Sequence, residues 1–376
     1  MKRYKAFDPP EYFDWTPDPE HVAAYAAALK SDPARKSHLE RLSPENLLEI
    51  YRDLLLTRLQ DIGLKRWVRL GVISKAWLGV GEEAVTVGAV STLNRSTDVL
   101  SPMIRNAGAH HMMGMPLEDT FRGYLATADA ANGGRDLHVG APEEGVIQPI
   151  SHMGTSVCVV AGIALAFKNR DEARVALTWV GDGATKTAAC HEGLILAARL
   201  KVPAIFIIQN NQVALGTRVD QHGAGDLTAW PAAYDIPSST CDGNNVLDVY
   251  AATAIARQRC LEGDGPQAIV AETFRMGGHA THDEREAREA FPPELFEHWG
   301  KRDPIGQYET YLLNMGIPQE RLDAIEVSAT ETVEAAADRA KASKDLTPDP
   351  QHALYEGFSE GGVLHPLKAR LEAQAG

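Results

Sequence analysis

The chain has 376 residues, 44% of them hydrophobic, which suffices for one large core or two modest ones and excludes a disordered protein. Its 37 basic and 51 acidic side chains leave a net charge of −14, which argues against nucleic acid or an anionic membrane as the main partner, so an anionic ligand would need local basic residues such as Arg105. No apolar run reaches the ~18 residues of a membrane span and the first ten residues lack an apolar signal core, so the chain is read as cytoplasmic.

Residues 1–42 are charged and punctuated by proline, with one helix-like piece at 21–29, and read as an N-terminal arm on this or another subunit. At Ser43-Pro44-Glu45 a capping residue, a proline at the first helical position and an acid in the first turn predict a helix start. Leu47, Leu48, Tyr51, Leu54 and Leu55 continue it at helical spacing towards Trp67. A glycine-rich turn, Gly79-Val80-Gly81, enters a helix of small residues over 84–93, and 98–103 reads as a short strand. Residues 133–150 read as a long surface loop, and 155–167 as a helix of mainly small side chains. Strands at 175–180 and 204–209 flank a helix over 187–200. A short strand near 239–241, a helix over 246–261 and a strand over 267–273 follow. Residues 274–291 read as a loop rich in Gly, His, Asp and Glu, and the tail reads as helices. This alternation predicts an α/β fold, a doubly wound, mostly parallel sheet flanked by helices. Its parts are an N-terminal arm (1–42), the α/β domain (43–292) and a helical C-terminal region packing on that domain (293–376). Cys158, Cys190, Cys241 and Cys260 have no CxxC spacing and read as small apolar fillers in a reducing compartment.

The sharpest signal is Gly181-Asp182-Gly183 at the end of one apolar run, answered by Asn210-Asn211 at the end of the next. A helix of about 14 residues spans ~21 Å and a strand of about six spans ~20 Å, so the chain goes out along one and returns along the other. Asp182 and Asn211 are therefore expected at the same carboxyl edge of a parallel sheet, where open α/β sheets hold ligands. A carboxylate and an amide oxygen suit Mg²⁺, whose shell is completed by water and phosphate, so the expected ligand is a magnesium diphosphate. The flanking glycines admit phosphate to the backbone, and a helix starting just afterwards offers unpaired N–H groups. A second Gly-Asp-Gly at 263–265 serves as a control: the same spacing after Asp264 reaches Pro293, and that copy reads as a plain turn.

Gly181-Asp182-Gly183-Ala184 through Asn210-Asn211, with Gly216-Thr217 beyond, resembles the thiamine diphosphate motif. More narrowly, residues 43–370 are similar to the alpha subunit of the decarboxylating first component of 2-oxo acid dehydrogenase complexes, of the pyruvate and branched-chain types. Leu56-Thr57-Arg58, Gly81-Glu82-Glu83-Ala84, Arg105, Asp242-Gly243-Asn244 and Arg275-Met276-Gly277-Gly278-His279 fall in the family's order. The resemblance implies thiamine diphosphate and Mg²⁺ as cofactors. It implies Asp182, Asn211 and the carbonyl of Val213 as metal ligands, and Arg105, Ser151, Met153, Gly181, Asp182, Gly183, Ala184 and Asn211 as cofactor contacts. His279 would be the catalytic residue of acyl transfer. The implied partners are a beta subunit, in a heterotetramer of two alpha and two beta chains, and a lipoyl-bearing acyltransferase.

Ile104 and Val213 stand where the family carries tyrosines, and Thr185 to Ala189 depart from its polar, glycine-containing run. These departures bear on substrate identity more than on the cofactor. They also keep two rivals open: a subunit of a non-oxidative carboligation or acyloin enzyme, and a degenerate scaffold paralogue. His279, His282, Asp283 and Glu284 read as part of an irregular loop rather than a second metal site. The chain after the last strand is too short for a second βα-rich domain, so the acid that contacts the aminopyrimidine is expected from the partner.

Overall fold

The computed structural model describes residues 7–223 and 225–350. The first six residues of the arm, and the part of the C-terminal region beyond residue 350, lie outside the described residues. Helices α1 (Pro19–Ser31), α2 (Pro33–Leu39) and α3 (Pro44–Arg69) come first. The expected start of α3 is a reciprocal cap: Asn46 N donates to Ser43 Oγ at 3.2 Å, and Ser43 N to Asn46 Oδ1 at 3.1 Å. Next are α4 (Glu83–Val90), β1 (Val99–Ser101), α5 (Gly108–Met113), α6 (Leu117–Leu125), α7 (Thr155–Asn169), β2 (Ala176–Gly181), α8 (Ala188–Leu200) and β3 (Ala204–Asn210). A short hairpin, β4 (Val213–Ala214) with β5 (Thr217–Arg218), leads into α9 (Val219–His222) and α10 (Ala229–Ala232). The chain ends with β6 (Ser238–Asp242), α11 (Val246–Glu262), β7 (Gln267–Glu272), α12 (Glu284–Ala290), α13 (Pro293–Gly300), α14 (Pro304–Asn314) and α15 (Gln319–Ala342).

The main sheet has five strands in the order β1-β2-β3-β7-β6, all parallel. Its central strands β2, β3 and β7 are apolar on both faces, whereas the edge strand β6 is Ser-Ser-Thr-Cys-Asp with its first three residues exposed. Leu177, Trp179, Ile205, Ile207 and Ile269 enter one core with α3, α4, α11 and α15, whereas Ala176, Val180, Phe206, Ile208 and Val270 enter the other with α7 and α8. Alternate residues thus serve opposite layers, the two-residue period of a strand buried on both sides. The doubly wound α/β fold expected from the sequence is the one observed.

Three segments differ in detail. Residues 104–125, unassigned above, form a turn and the helices α5 and α6; these are short, and α5 opens on Gly108 with two histidines. The loop over 274–291 ends in α12, whose sequence EREAREA has no apolar stripe. That helix is held by Lys65–Glu284 (2.7 Å) and Arg288–Glu11 (2.8 Å) ion pairs and by Arg288 over the Phe296 ring. The segment read as an arm supplies Tyr25 and Leu29 to the main core and buries Tyr12 completely. The Gly263–Gly265 tripeptide is the expected turn, its two glycines at φ +90 and +88 between α11 and β7.

Candidate active site

Because β2 and β3 are parallel neighbours with Gly181 level with Gln209, Asp182 and Asn211 both follow the carboxyl ends of adjacent strands. Both are buried. Asp182 Oδ2 lies 3.0 Å from His222 Nε2, brought over by α9, and burial pushes the carboxyl above its ordinary range against the pull of that imidazole. Asn211 Nδ2 donates to Glu82 Oε1 at 2.8 Å, while its Oδ1 takes only a long 3.4 Å contact from Val213 N. One carboxylate and one amide oxygen at this edge are thus available to a cation, although among the described residues no group of three or more His, Cys, Asp or Glu could hold a metal alone. The set fits an ion that takes its remaining ligands from water and phosphate.

Of the flanking residues, Gly181 has open space where a side chain would go, and a Cβ on Gly183 would meet Ala214 Cβ at 2.4 Å. Gly183→Ala is therefore expected to push back the β4–β5 hairpin that carries Val213, at a cost of about 1–3 kcal/mol measurable by urea unfolding. That hairpin is already held against its preferences, with Gln212 at φ +73 and Leu215 at φ +56, and Arg275 pins it by donating to Leu215 O at 2.7 Å. The helix after Asp182 differs from expectation. A 3₁₀ turn over Gly183–Lys186, including the buried Ala184, intervenes, and α8 is capped by Thr187, so its N–H groups do not open directly at Asp182.

Arg105 enters from the turn after β1. Its guanidinium is buried, donates to Leu78 O at 3.1 Å, and lies 3.4 Å from His279 Nδ1 and 3.6 Å from Glu82 Oε2. The tight turn before α4 makes this possible: a side chain on Gly79 would strike Arg105 O at 2.3 Å, and Gly81 sits at φ +95. Asp61 fixes the turn, accepting from Gly79 N at 2.7 Å; burial pushes its carboxyl up to about 8. Burial and the Arg105 charge push Arg275 down to about 10. An added anion would offset the cost that burial and the Arg105 charge impose on Arg275, so a diphosphate fits the charge here.

His279 is half-buried on the loop after β7. Asp283 shapes this loop by accepting from His279 N (3.2 Å) and Ala280 N (2.8 Å). Burial, then the charges of Arg105 and Arg275, push the imidazole down to about 4, so it is neutral at pH 7. With Nδ1 facing the Arg105 donor, the proton belongs on Nε2.

Ser151 and Met153 are exposed on the segment leading into α7. Gly154 packs this segment onto Thr187, at the start of the helix that follows Asp182. Ser151 Oγ lies 3.1 Å from His138 Nε2, and His138 Nδ1 lies 2.8 Å from Asp136 Oδ2. His138 and His222 had no role in the reading of the sequence, and Glu82 entered it only within Gly81-Glu82-Glu83-Ala84, with no site role. Glu82 alone carried a usable signal, an acid between a glycine turn and an apolar helix.

The chain is similar to known proteins over most of its length. Residues 51–349 match the family described as Dehydrogenase E1 component. The pyruvate dehydrogenase E1 component subunit alpha of Bacillus cereus is 30% identical over 337 residues, 87% of this chain and 86% of the relative. The 3-methyl-2-oxobutanoate dehydrogenase subunit alpha of Mycobacterium tuberculosis is 33% identical over 294 residues, 77% of each chain. The 2-oxoisovalerate dehydrogenase subunit alpha of Bacillus subtilis is 30% identical over 321 residues, 83% of this chain and 97% of the relative. With Asp182, Asn211, Arg105 and His279 at the carboxyl edge of its sheet, this chain belongs to the dehydrogenase E1 component family.

Proposed function

We propose that this chain is the alpha subunit of a 2-oxo acid dehydrogenase that decarboxylates a 2-oxo acid oxidatively and passes the acyl group to a lipoyl domain. The observation that supports it best is that Asp182 and Asn211 follow the carboxyl ends of adjacent parallel strands, with Glu82 linking Asn211 to buried Arg105. Asp182, Asn211 and the Val213 carbonyl would hold Mg²⁺. Arg105 would hold the diphosphate, with Gly181, Gly183 and Ala184 giving it room and the Ser151 and Met153 backbone meeting the aminopyrimidine. Thiamine diphosphate, when bound, supplies the electron sink for loss of CO₂. Residues 43–292 form the cofactor-binding unit in this reading, and of the flanking segments 1–42 and 293–376 the described residues, 7–42 and 293–350, pack around it.

The described residues after β7 form helices and turns alone, so the acid that the aminopyrimidine needs is assigned to a beta subunit, in a heterotetramer of two alpha and two beta chains. A lipoyl-bearing acyltransferase is the acceptor. No helix among the described residues is long and apolar enough to cross a membrane, in keeping with action in the cytoplasm.

His279, held neutral, keeps its Nε2–H as a hydrogen-bond donor that orients the substrate at acyl transfer. His279→Ala should leave thiamine diphosphate binding within about twofold and slow acylation of a lipoyl domain by roughly 10²–10⁴-fold. Unchanged acylation in a reconstituted assay would remove the role. Full decarboxylase activity from the purified chain without a partner would remove the split site.

A further inference from the structure

Glu82 is a buried carboxylate in contact with both halves of the proposed cofactor site, Asn211 and Arg105. Its Oε1 accepts from Gln209 Nε2 at 2.6 Å and from Asn211 Nδ2 at 2.8 Å. Its Oε2 makes no hydrogen bond among the described residues and faces Arg105 Nη1 at 3.6 Å. An ionised carboxylate has only acceptors, whereas an amide has one end of each kind. Whatever amide end faces Glu82 must therefore be the NH₂ end. For Gln209 this leaves Oε1 to accept from Asn106 Nδ2 at 2.9 Å, and Asn106 Nδ2 also donates to Thr86 Oγ1 at 2.8 Å. For Asn211 it leaves Oδ1 turned away from Glu82, where Val213 N meets it. Without Glu82, either end of Asn211 could face the ion, and one of them is a donor that repels it.

We propose that Glu82 is a positioning residue for the divalent ion: as a buried, acceptor-only group it fixes the oxygen end of Asn211 towards the metal while balancing Arg105. The proposal rests on the reading of Asp182 and Asn211 as ion ligands. It assigns Glu82 no contact with substrate.

The test is Mn²⁺ binding to the full-length chain assembled with its beta subunit, in the presence of thiamine diphosphate, followed by the electron paramagnetic resonance of free Mn²⁺, with circular dichroism confirming the fold of each variant. Glu82→Gln should weaken Mn²⁺ binding at least ~10-fold, as loss of a ligand-orienting partner usually does. Asn211→Asp alone should also weaken it, because two carboxylates then face each other where Asn211 and Glu82 met. The double variant Glu82→Gln with Asn211→Asp should bind more tightly than either single one, since the introduced amide can donate to one oxygen of the introduced carboxylate and leave the other for the ion. A merely structural role for Glu82 does not produce this mutual rescue. Asp182→Asn is the control. If it weakens Mn²⁺ binding while Glu82→Gln does not, or if the double variant is no better than the singles, the Glu82 proposal fails and the ion site stands. If Asp182→Asn has no effect, or the native assembly with its beta subunit binds no Mn²⁺, the ion site itself is wrong and the proposal falls with it.

Discussion

Asp182→Asn is expected to reduce magnesium-dependent binding of thiamine diphosphate by at least ~100-fold, because loss of a ligand must exceed the 10–100-fold that follows loss of a group behind one. Isothermal calorimetry with and without Mg²⁺ measures it, and binding that still requires Mg²⁺ at native strength would refute the assignment. Misfolding is not expected to confuse the result. Burial raises the Asp182 carboxyl in the folded chain, so the native aspartate weakens stability as pH rises from its ordinary value through that raised one. Asparagine removes this penalty and keeps an acceptor for His222. The ligand-free variant should therefore melt no lower than the native chain at pH 7.

The largest expected loss of stability lies at Arg58. This guanidinium is buried, pairs with Glu83, with Asp303 at 3.0 Å and with Asp8 at 3.5 Å, and lies over the Tyr12 ring at 5.0 Å. Four parts of the chain meet on it: the N-terminal segment, α3, α4 and the cap of α14. Arg58→Met removes a positive charge buried among three acids, which should cost roughly 3–5 kcal/mol. The sign with pH is definite. Burial already holds the Glu83 carboxyl above its ordinary range against the pull of Arg58, and without that pull it would lie higher still, so the variant would lose stability as pH rises above about 4 and recover part of it on acidification. Chemical denaturation at pH 7 and near pH 4 checks this; a loss equal at both values would show that the charge balance is not the cause.

The sheet was legible because its strands carry apolar runs over 175–180, 204–209 and 267–273 that sit in both cores. The shared edge of Asp182 and Asn211 followed from the path of one helix and one strand and needed no side-chain detail. What stayed hidden depends on partners distant in sequence. α12 has no apolar face to announce it and is held by Lys65 and Glu11. Glu82 gains its meaning only when Gln209, Asn211 and Arg105 surround it, and His222 only when α9 turns it onto Asp182. The helix after Asp182 was expected to open on the ligand, but Thr187 caps it locally, a competition that spacing alone does not resolve.

Since every strand of the main sheet points the same way, the molecule has a busy rim and a quiet one. The connections entering the strands, residues 170–175, 201–203 and 263–266, all lie on the rim away from Asp182, about a strand's length of ~20 Å from it. A fluorophore, an epitope or a tether for surface attachment belongs there, at an exposed residue such as Lys201 or Asp264. Reporters fixed at that distance could follow assembly with partner chains without touching the chemistry.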